Sequence, residues 1–180
     1  MPILSTAGQT LERLQKLADE QSNERPREML LAFKRHWGAE VAGDLDAAMA
    51  ELPENSYFGL RGALAGGSPF EVHTAAEHRA VYQRMLDLNL NPGGALSDER
   101  FAFADWGMMM EAIYSNVIYG AMLANVGDYG PQDLYLVHIP MVMICYFSSD
   151  GKMLGKRDYM ADPLSIEPAD RRLLEQLVKT

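Results

Sequence analysis

Cysteine is nearly missing from this chain: one residue, Cys145, in 180. A single thiol excludes an internal disulfide and any multi-cysteine zinc or iron–sulfur site. Basic side chains are also scarce, 16 Lys and Arg against 25 Asp and Glu, for a formal charge of −9. That deficit argues against a nucleic-acid partner, because nothing here neutralises a row of phosphates. No apolar run reaches the 18 or more residues of a membrane helix. The longest, Leu134 to Phe147, is broken by His138 and Pro140. The opening MPILSTAGQT has no basic n-region and no long apolar h-region, so no secretory signal is expected. The expectation is a cytoplasmic protein, and a lone cysteine inside an apolar run fits a reducing compartment. Phosphate loops are missing too. The stretch Gly62-Ala63-Leu64-Ala65-Gly66-Gly67 has the wrong spacing for one and carries no Lys. There is no Gly-x-Ser-x-Gly, and Cys145 lies between Ile144 and Tyr146, so nucleophilic catalysis has little support.

What is present reads as one domain over residues 1–180. A chain of this size buries roughly 70% of the surface it exposes unfolded and needs no staple. A charged fraction of 23% beside 48% hydrophobic residues argues against disorder. Methionine is in surplus, and eight of the 12 lie between positions 108 and 160.

Helical patterns come first. Thr10 is a candidate cap for a short helix with Leu11, Leu14 and Leu17 on one stripe. A second helix starts near Asn23, tolerates Pro26 in its first turn, and spaces Met29, Leu30, Phe33 and Trp37 for one face. Asp44 caps a third, with Leu45, Ala48, Met49 and Leu52 inward, and Pro53 ends it. Asn55 to Leu60 is a short strand candidate, and Arg61 to Pro69 reads as a loop. Thr74-Ala75-Ala76-Glu77 is a capping box. Its helix carries Val81, Met85 and Leu88 at core spacing and stops at Asn91-Pro92-Gly93-Gly94.

Strand patterns follow. Arg100 to Asp105 alternates, and Met108 to Leu123 is rich in β-branched and aromatic residues. Leu134 to Phe147 is apolar on both faces, so both sides should be covered. Ser148-Ser149-Asp150-Gly151 supplies hairpin chemistry, with a return strand from Lys152 to Asp162. Glu167-Pro168 opens a last helix with Leu173, Leu174, Leu177 and Val178.

Helices followed by consecutive strands predict an α+β domain: a cone-shaped barrel of curved, mixed, mainly antiparallel sheet packed on N-terminal helices. In this order the chain resembles the nuclear transport factor 2-like superfamily (a cystatin-like fold). That group includes SnoaL-like polyketide cyclases, ketosteroid isomerase, scytalone dehydratase and limonene epoxide hydrolase. The resemblance rests on His36-Trp37 followed by Ala42-Gly43-Asp44-Leu45-Asp46-Ala47-Ala48. It continues through the helix Glu77 to Leu88 with Val81-Tyr82. It closes with Phe147 to Met153 leading into Arg157-Asp158-Tyr159-Met160-Ala161-Asp162. It covers roughly residues 26 to 165, the core cone, and leaves 1–25 and 166–180 as terminal helical elaborations. It implies an apolar pocket, a homodimer as the family habit, and no cofactor.

Enzymes of this shape place a carboxylate or His in an apolar cone, where burial raises a carboxyl pKa into a useful range. A hydrogen-bond donor opposite stabilises a developing oxyanion. Glu111, between Met110 and Ala112, is the first candidate base; a solvated or dimer-contact outer face is the alternative. Asp158 on the return strand, sharing a face with Leu154 and Met160, is the second, against an ordinary surface ion pair with Lys156 or Arg157. His36 falls near the place where the resemblance to ketosteroid isomerase puts an oxyanion-hole tyrosine, so this chain departs from that enzyme. The isomerase's two carboxylates fall near Gly59 and Met143, a second departure.

Substrate-contact candidates are Tyr57, Arg61, Tyr82, Tyr119, His138, Met143 and Met160, with Tyr114 as a further phenolic donor. Metal binding has weak support. His36 and Glu40, and His73 and Glu77, stand at i, i+4, but neither pair has an evident third ligand, and no metal is expected.

The reading is a cofactor-independent lyase or isomerase using general acid/base catalysis on a hydrophobic, aromatic or polycyclic small molecule. Two alternatives stand beside it: a non-catalytic small-molecule-binding or dimerisation module, and an epoxide or ester hydrolase.

Overall fold

The computed structural model describes residues 4–65 and 68–180. The glycines Gly66 and Gly67 of the expected loop lie outside the described residues. Three helices lead: α1 (Ala7–Asp19), α2 (Glu24–Ala42) and α3 (Leu45–Ala50). Then come β1 (Tyr57–Gly62), β2 (Phe70–Val72) and α4 (Ala75–Asp87). Strands β3 (Ala95–Ala104), β4 (Gly107–Tyr119), β5 (Leu134–Phe147), β6 (Met153–Met160) and β7 (Ser165–Pro168) follow, and α5 (Arg171–Leu177) ends the chain. No described helix is long and apolar enough to cross a membrane.

The helix ends follow from short-range chemistry. The cap of α1 is Thr6, not Thr10: Thr6 and Gln9 form a reciprocal capping box. Thr10 instead lies one turn inside and fully buried, its hydroxyl accepting from the Leu96 N–H at 2.9 Å. That bond ties α1 to β3. The helix α2 starts near Asn23, as expected, and Asn23 caps it, accepting from the Arg25 N–H at 3.0 Å. Gly43 ends the helix at φ 69°, a left-handed conformation that costs glycine little. Asp44 then caps α3 through the Ala47 N–H.

The seven strands make one mixed, mainly antiparallel sheet that does not close. Its order is β2-β1-β6-β5-β4-β3, with β7 pairing β5. Among the described residues only β1 and β6 run parallel. Gly155, at φ 145°, lets them approach; a Cβ there would meet the Tyr57 carbonyl oxygen at 2.0 Å. Period-two alternation sorts the side chains. Met108, Met110, Met141, Met143 and Cys145 turn inward and pack with Met29, Leu30, Phe33 and Trp37 of α2 in one core. Most of the surplus methionine is therefore packing material, a use suited to its flexible side chain. Met109 is an exception, 44% exposed on the outer face.

Several expectations are corrected. Arg61 and Gly62 belong to β1 and not to the loop, and β2 at Phe70–Val72 has no counterpart in the sequence reading. The buried face of α4 is His78 and Tyr82, while Leu88 is exposed. Leu154 does not share the face of Asp158: a register shift between Tyr146 and Phe147 turns Met153 inward and Leu154 out. Glu167-Pro168 ends β7, and α5 starts later, capped by Asp170. β5 is covered on both faces only at its Leu136–His138 end, where Leu174 of α5 packs on Leu136. Its outward residues from Pro140 to Tyr146 remain half-buried.

Candidate functional site

Three elements aim polar side chains into the apolar interior. From α2 come His36 and Glu40, one turn apart on one face. From α4 come His78 and Tyr82 with the same spacing. From β6 come Lys156 and Asp158, two residues apart and therefore on one side of the strand. All six are buried, with exposures of 0 to 6%. Tyr114 and Asn116 of β4 are buried beside them.

Glu40 is the hub. Its Oε1 accepts from Lys156 Nζ at 2.7 Å and from the Tyr82 hydroxyl. His36 Nε2 stands 2.7 Å from the same oxygen, without the alignment of a hydrogen bond. His36 Nδ1 faces the Ala48 carbonyl at 3.0 Å, and since a carbonyl only accepts, Nδ1 carries a proton. Lys156 Nζ also lies 5.4 to 5.7 Å from the ring centroids of Trp37, Phe58 and Tyr82, an aromatic surround that favours a cation. The His78 ring stacks on Phe58, centroids 4.6 Å apart and 2° from parallel.

The environment sets charge. Burial alone would push the Glu40 carboxyl up, but Lys156 and His36 together hold it well below the usual carboxylate range. Burial would neutralise Lys156, and Glu40 and Asp158 keep it protonated. Burial depresses His78 to about 3, with Lys156 adding to the effect, so the imidazole is neutral. Burial raises Asp158 to about 6, against the pull of Lys156. Its Oδ1 has no hydrogen-bond partner among the described residues. Tyr114 is raised by burial, and its hydroxyl oxygen accepts from Asn116 Nδ2 at 2.6 Å.

The expected site residues divide. His36, Tyr82, Asp158 and Met143 come together, with Met143 paired opposite Asp158 in the sheet. Met160 lies on the same side of β6, packed against the core. Glu111 does not turn inward: its side chain is 63% exposed on the outer face, 3.6 Å from Arg100. The pairing Glu111↔Val142 and Met110↔Met143 fixes that parity. Tyr57 and Arg61 also face outward, Tyr57 accepting from Arg157 Nε at 2.9 Å and Arg61 pairing with Glu71. A surface cleft of about 720 Å³ opens on this face and is lined by Arg61, Glu111 and Tyr159, away from the buried cluster. Tyr119 ends β4 and holds Arg171. His138 is buried on the outer side, bonded to Ser115 at 2.7 Å.

Sequence reasoning passed over Lys156 and His78 as participants and met Glu40 only as half of an i, i+4 pair. The available signals were that pair, the matching His78–Tyr82 spacing, and the alternation of Lys156 and Asp158.

No protein-family profile and no curated protein matches the chain. Solved structures do. A candidate SnoaL-like polyketide cyclase from Shewanella putrefaciens aligns with a TM-score of 0.60 at 15% identity, covering 81% of this chain and 87% of that one. A candidate polyketide cyclase from Xanthomonas campestris gives 0.53 at 17% identity, covering 86% of this chain and 99% of that one. The epoxide hydrolase/cyclase-like enzyme SalBIII, with a role in pyran ring formation in the polyether salinomycin, gives 0.50 at 13% identity, covering 77% and 93%. The chain has the nuclear transport factor 2-like fold that these proteins share.

Proposed function

We propose that this chain is an acid–base enzyme, a lyase or isomerase, for a small hydrophobic molecule with a ring system. The observation that carries the reading is Asp158. Its carboxyl is buried in an apolar wall with an unpartnered oxygen, and burial pushes it up to about 6. Such a group is ionised at neutral pH yet basic enough to take a proton. In the proposed step Asp158 removes a proton from carbon beside a carbonyl, and the electron pair moves onto the carbonyl oxygen. An N–H of Lys156 or the hydroxyl of Tyr114 donates to that oxygen. Returning the proton to a second carbon completes an isomerisation; expelling a leaving group completes an elimination. Glu40 and His36 act by positioning Lys156. The cyclase and cyclase/hydrolase-like neighbours support a ring-forming or ring-bearing substrate. Access to the cluster requires α4 to move, since His78 and Tyr82 close it on that side.

The test is turnover of polycyclic ketone and enol substrates. Asp158→Asn should lower kcat about 10²- to 10⁴-fold, and the parent's kcat/KM should rise through a pH near 6. Full turnover by Asp158→Asn would remove the assignment.

We also propose a homodimer, formed through the half-buried apolar residues of the outer sheet face.

A further inference from the structure

The cluster holds more ligand-type atoms than its hydrogen bonds use. His36, Glu40 and His78 bring one ring nitrogen, one carboxylate oxygen and one ring nitrogen within 4.8 Å of one another. All three residues are 0% exposed. Among the described residues Glu40 Oε2 and both nitrogens of His78 have no hydrogen-bond partner, and His36 Nε2 has only the unaligned 2.7 Å contact with Glu40 Oε1. A buried polar atom in that state costs about 1–3 kcal/mol, so one acceptor atom from each of three residues, all within 4.8 Å, calls for a common partner.

The orientation of His36 says what kind. Its Nδ1–H is fixed by the Ala48 carbonyl, which leaves Nε2 directed into the cluster. A metal-bound histidine has this arrangement: the far ring N–H anchored on a backbone carbonyl and the near nitrogen free to ligate. His78 is held by stacking on Phe58, and the two imidazole centroids are 6.1 Å apart at 56°. Lys156 and Tyr82 occupy Oε1 of Glu40 and leave Oε2 open.

We propose that His36 Nε2, Glu40 Oε2 and one ring nitrogen of His78 bind a divalent first-row transition metal. Two imidazoles and one carboxylate suit zinc or ferrous iron, with further coordination positions left for water or substrate. Magnesium and calcium, which favour all-oxygen shells, do not fit this donor set. The titratable groups beside the proposed site are Lys156 and Asp158 from β6, with the neutral phenols of Tyr82 from α4 and Tyr114 from β4. The inference goes beyond the acid–base reading and does not depend on it.

The experiment uses the full chain, stripped with chelator and titrated with Co²⁺, then with Zn²⁺ in competition. The expected result is one equivalent of Co²⁺ with visible d–d absorption, displaced by Zn²⁺, and a rise in Tm on adding either metal. His78→Phe keeps the stack on Phe58 and removes one ligand; its affinity should fall by at least about 100-fold, since loss of a mere outer-shell partner costs roughly 10- to 100-fold, with the metal-free Tm unchanged or higher. No stoichiometric uptake at millimolar metal overturns the proposal, and so does undiminished binding by His78→Phe. Asp158→Asn should keep the cobalt spectrum while losing turnover. An inactive Asp158→Asn beside a chain that takes up no metal would sink the metal site alone.

Discussion

Asp158 and Glu40 are two carboxyls in one buried cluster with opposite fates. Glu40 shares Oε1 with Lys156 and Tyr82 and stays ionised. Among the described residues Asp158 has no hydrogen-bond partner on Oδ1, and burial raises it to about 6. The consequence for stability has a definite sign. Between the reference value of 3.8 and about 6 the folded chain binds more protons at Asp158 than the unfolded chain. Its contribution is therefore lost as pH rises through that window, about 3 kcal/mol by neutrality. His78, held near 3 against a reference of 6.5, works the other way: the unfolded chain takes up its proton first as pH falls below 6.5. We predict that Asp158→Asn is more stable than the parent at pH 8, by up to about 3 kcal/mol, and indistinguishable from it near pH 3.5. Urea unfolding at the two pH values measures this. Equal stability at pH 8 would mean that Asp158 carries no desolvation cost and is a poor candidate for a base. Gained stability with lost turnover is the pattern expected where a site is kept at the expense of the fold.

At the scale of elements, α4 brings His78 and Tyr82 into the cluster and is the proposed gate, and its first turn is capped by Thr74. Thr74 Oγ1 accepts from the Glu77 N–H at 3.1 Å, and Glu77 Oε2 reaches back to the His73 N–H at 2.9 Å. Thr74→Ala removes the cap and should cost about 1 kcal/mol. Because His78 and Tyr82 ride on this helix, hydrogen exchange across residues 75–87 should rise more than across α2; equal rises would detach α4 from the gate role. The Thr74 and Asp44 caps were legible in the sequence, because capping depends on neighbours a few residues away, although Glu77 reaches the N–H of His73 and not that of the cap residue. β5 was legible to the residue, since an apolar run bounded by turn residues marks its own ends. The buried face of α4 was not. His78 and Tyr82 look like a solvated stripe until α2 supplies Glu40, 42 residues from Tyr82, and β6 supplies Lys156, 116 residues from Glu40. Glu111 was misplaced for a related reason: period two says which residues share a side, and only the packing of α2 decides which side is interior. β2 and β7 are three and four residues long and carry too little pattern to stand out.

For the whole molecule, the outer sheet face is the feature the single chain leaves unfinished. Trp106 is 53% exposed there, Met109 44% and Tyr159 37%. Ile113, Pro140, Val142, Ile144 and Tyr146 lie half-buried beside or between them. Contiguous apolar surface of this kind marks an interaction site more often than a solvent face. Charges flank it as internal pairs, Arg61 with Glu71 and Arg100 with Glu111, so they meet a second copy already neutralised. A net charge of −9 on each chain opposes association at long range, and salt screens that repulsion over about 10 Å at 0.1 M. The dimer should therefore tighten with added salt, the reverse of a complex held by ion pairs. A standard interface needs about 800 Å² from each partner, and a row of five strands can supply it. Ile144 lies outward in the C-terminal half of β5, paired across the sheet with Met109 and Arg157. Ile144→Glu places a carboxylate at the middle of the proposed contact while leaving the interior untouched. Sedimentation at micromolar concentration should give the two-chain mass for the parent, more firmly at higher salt, and the one-chain mass for Ile144→Glu with its Tm changed only by the loss of association. A parent that sediments as one chain at tens of micromolar, in high salt as in low, would leave this face without a second copy as its partner.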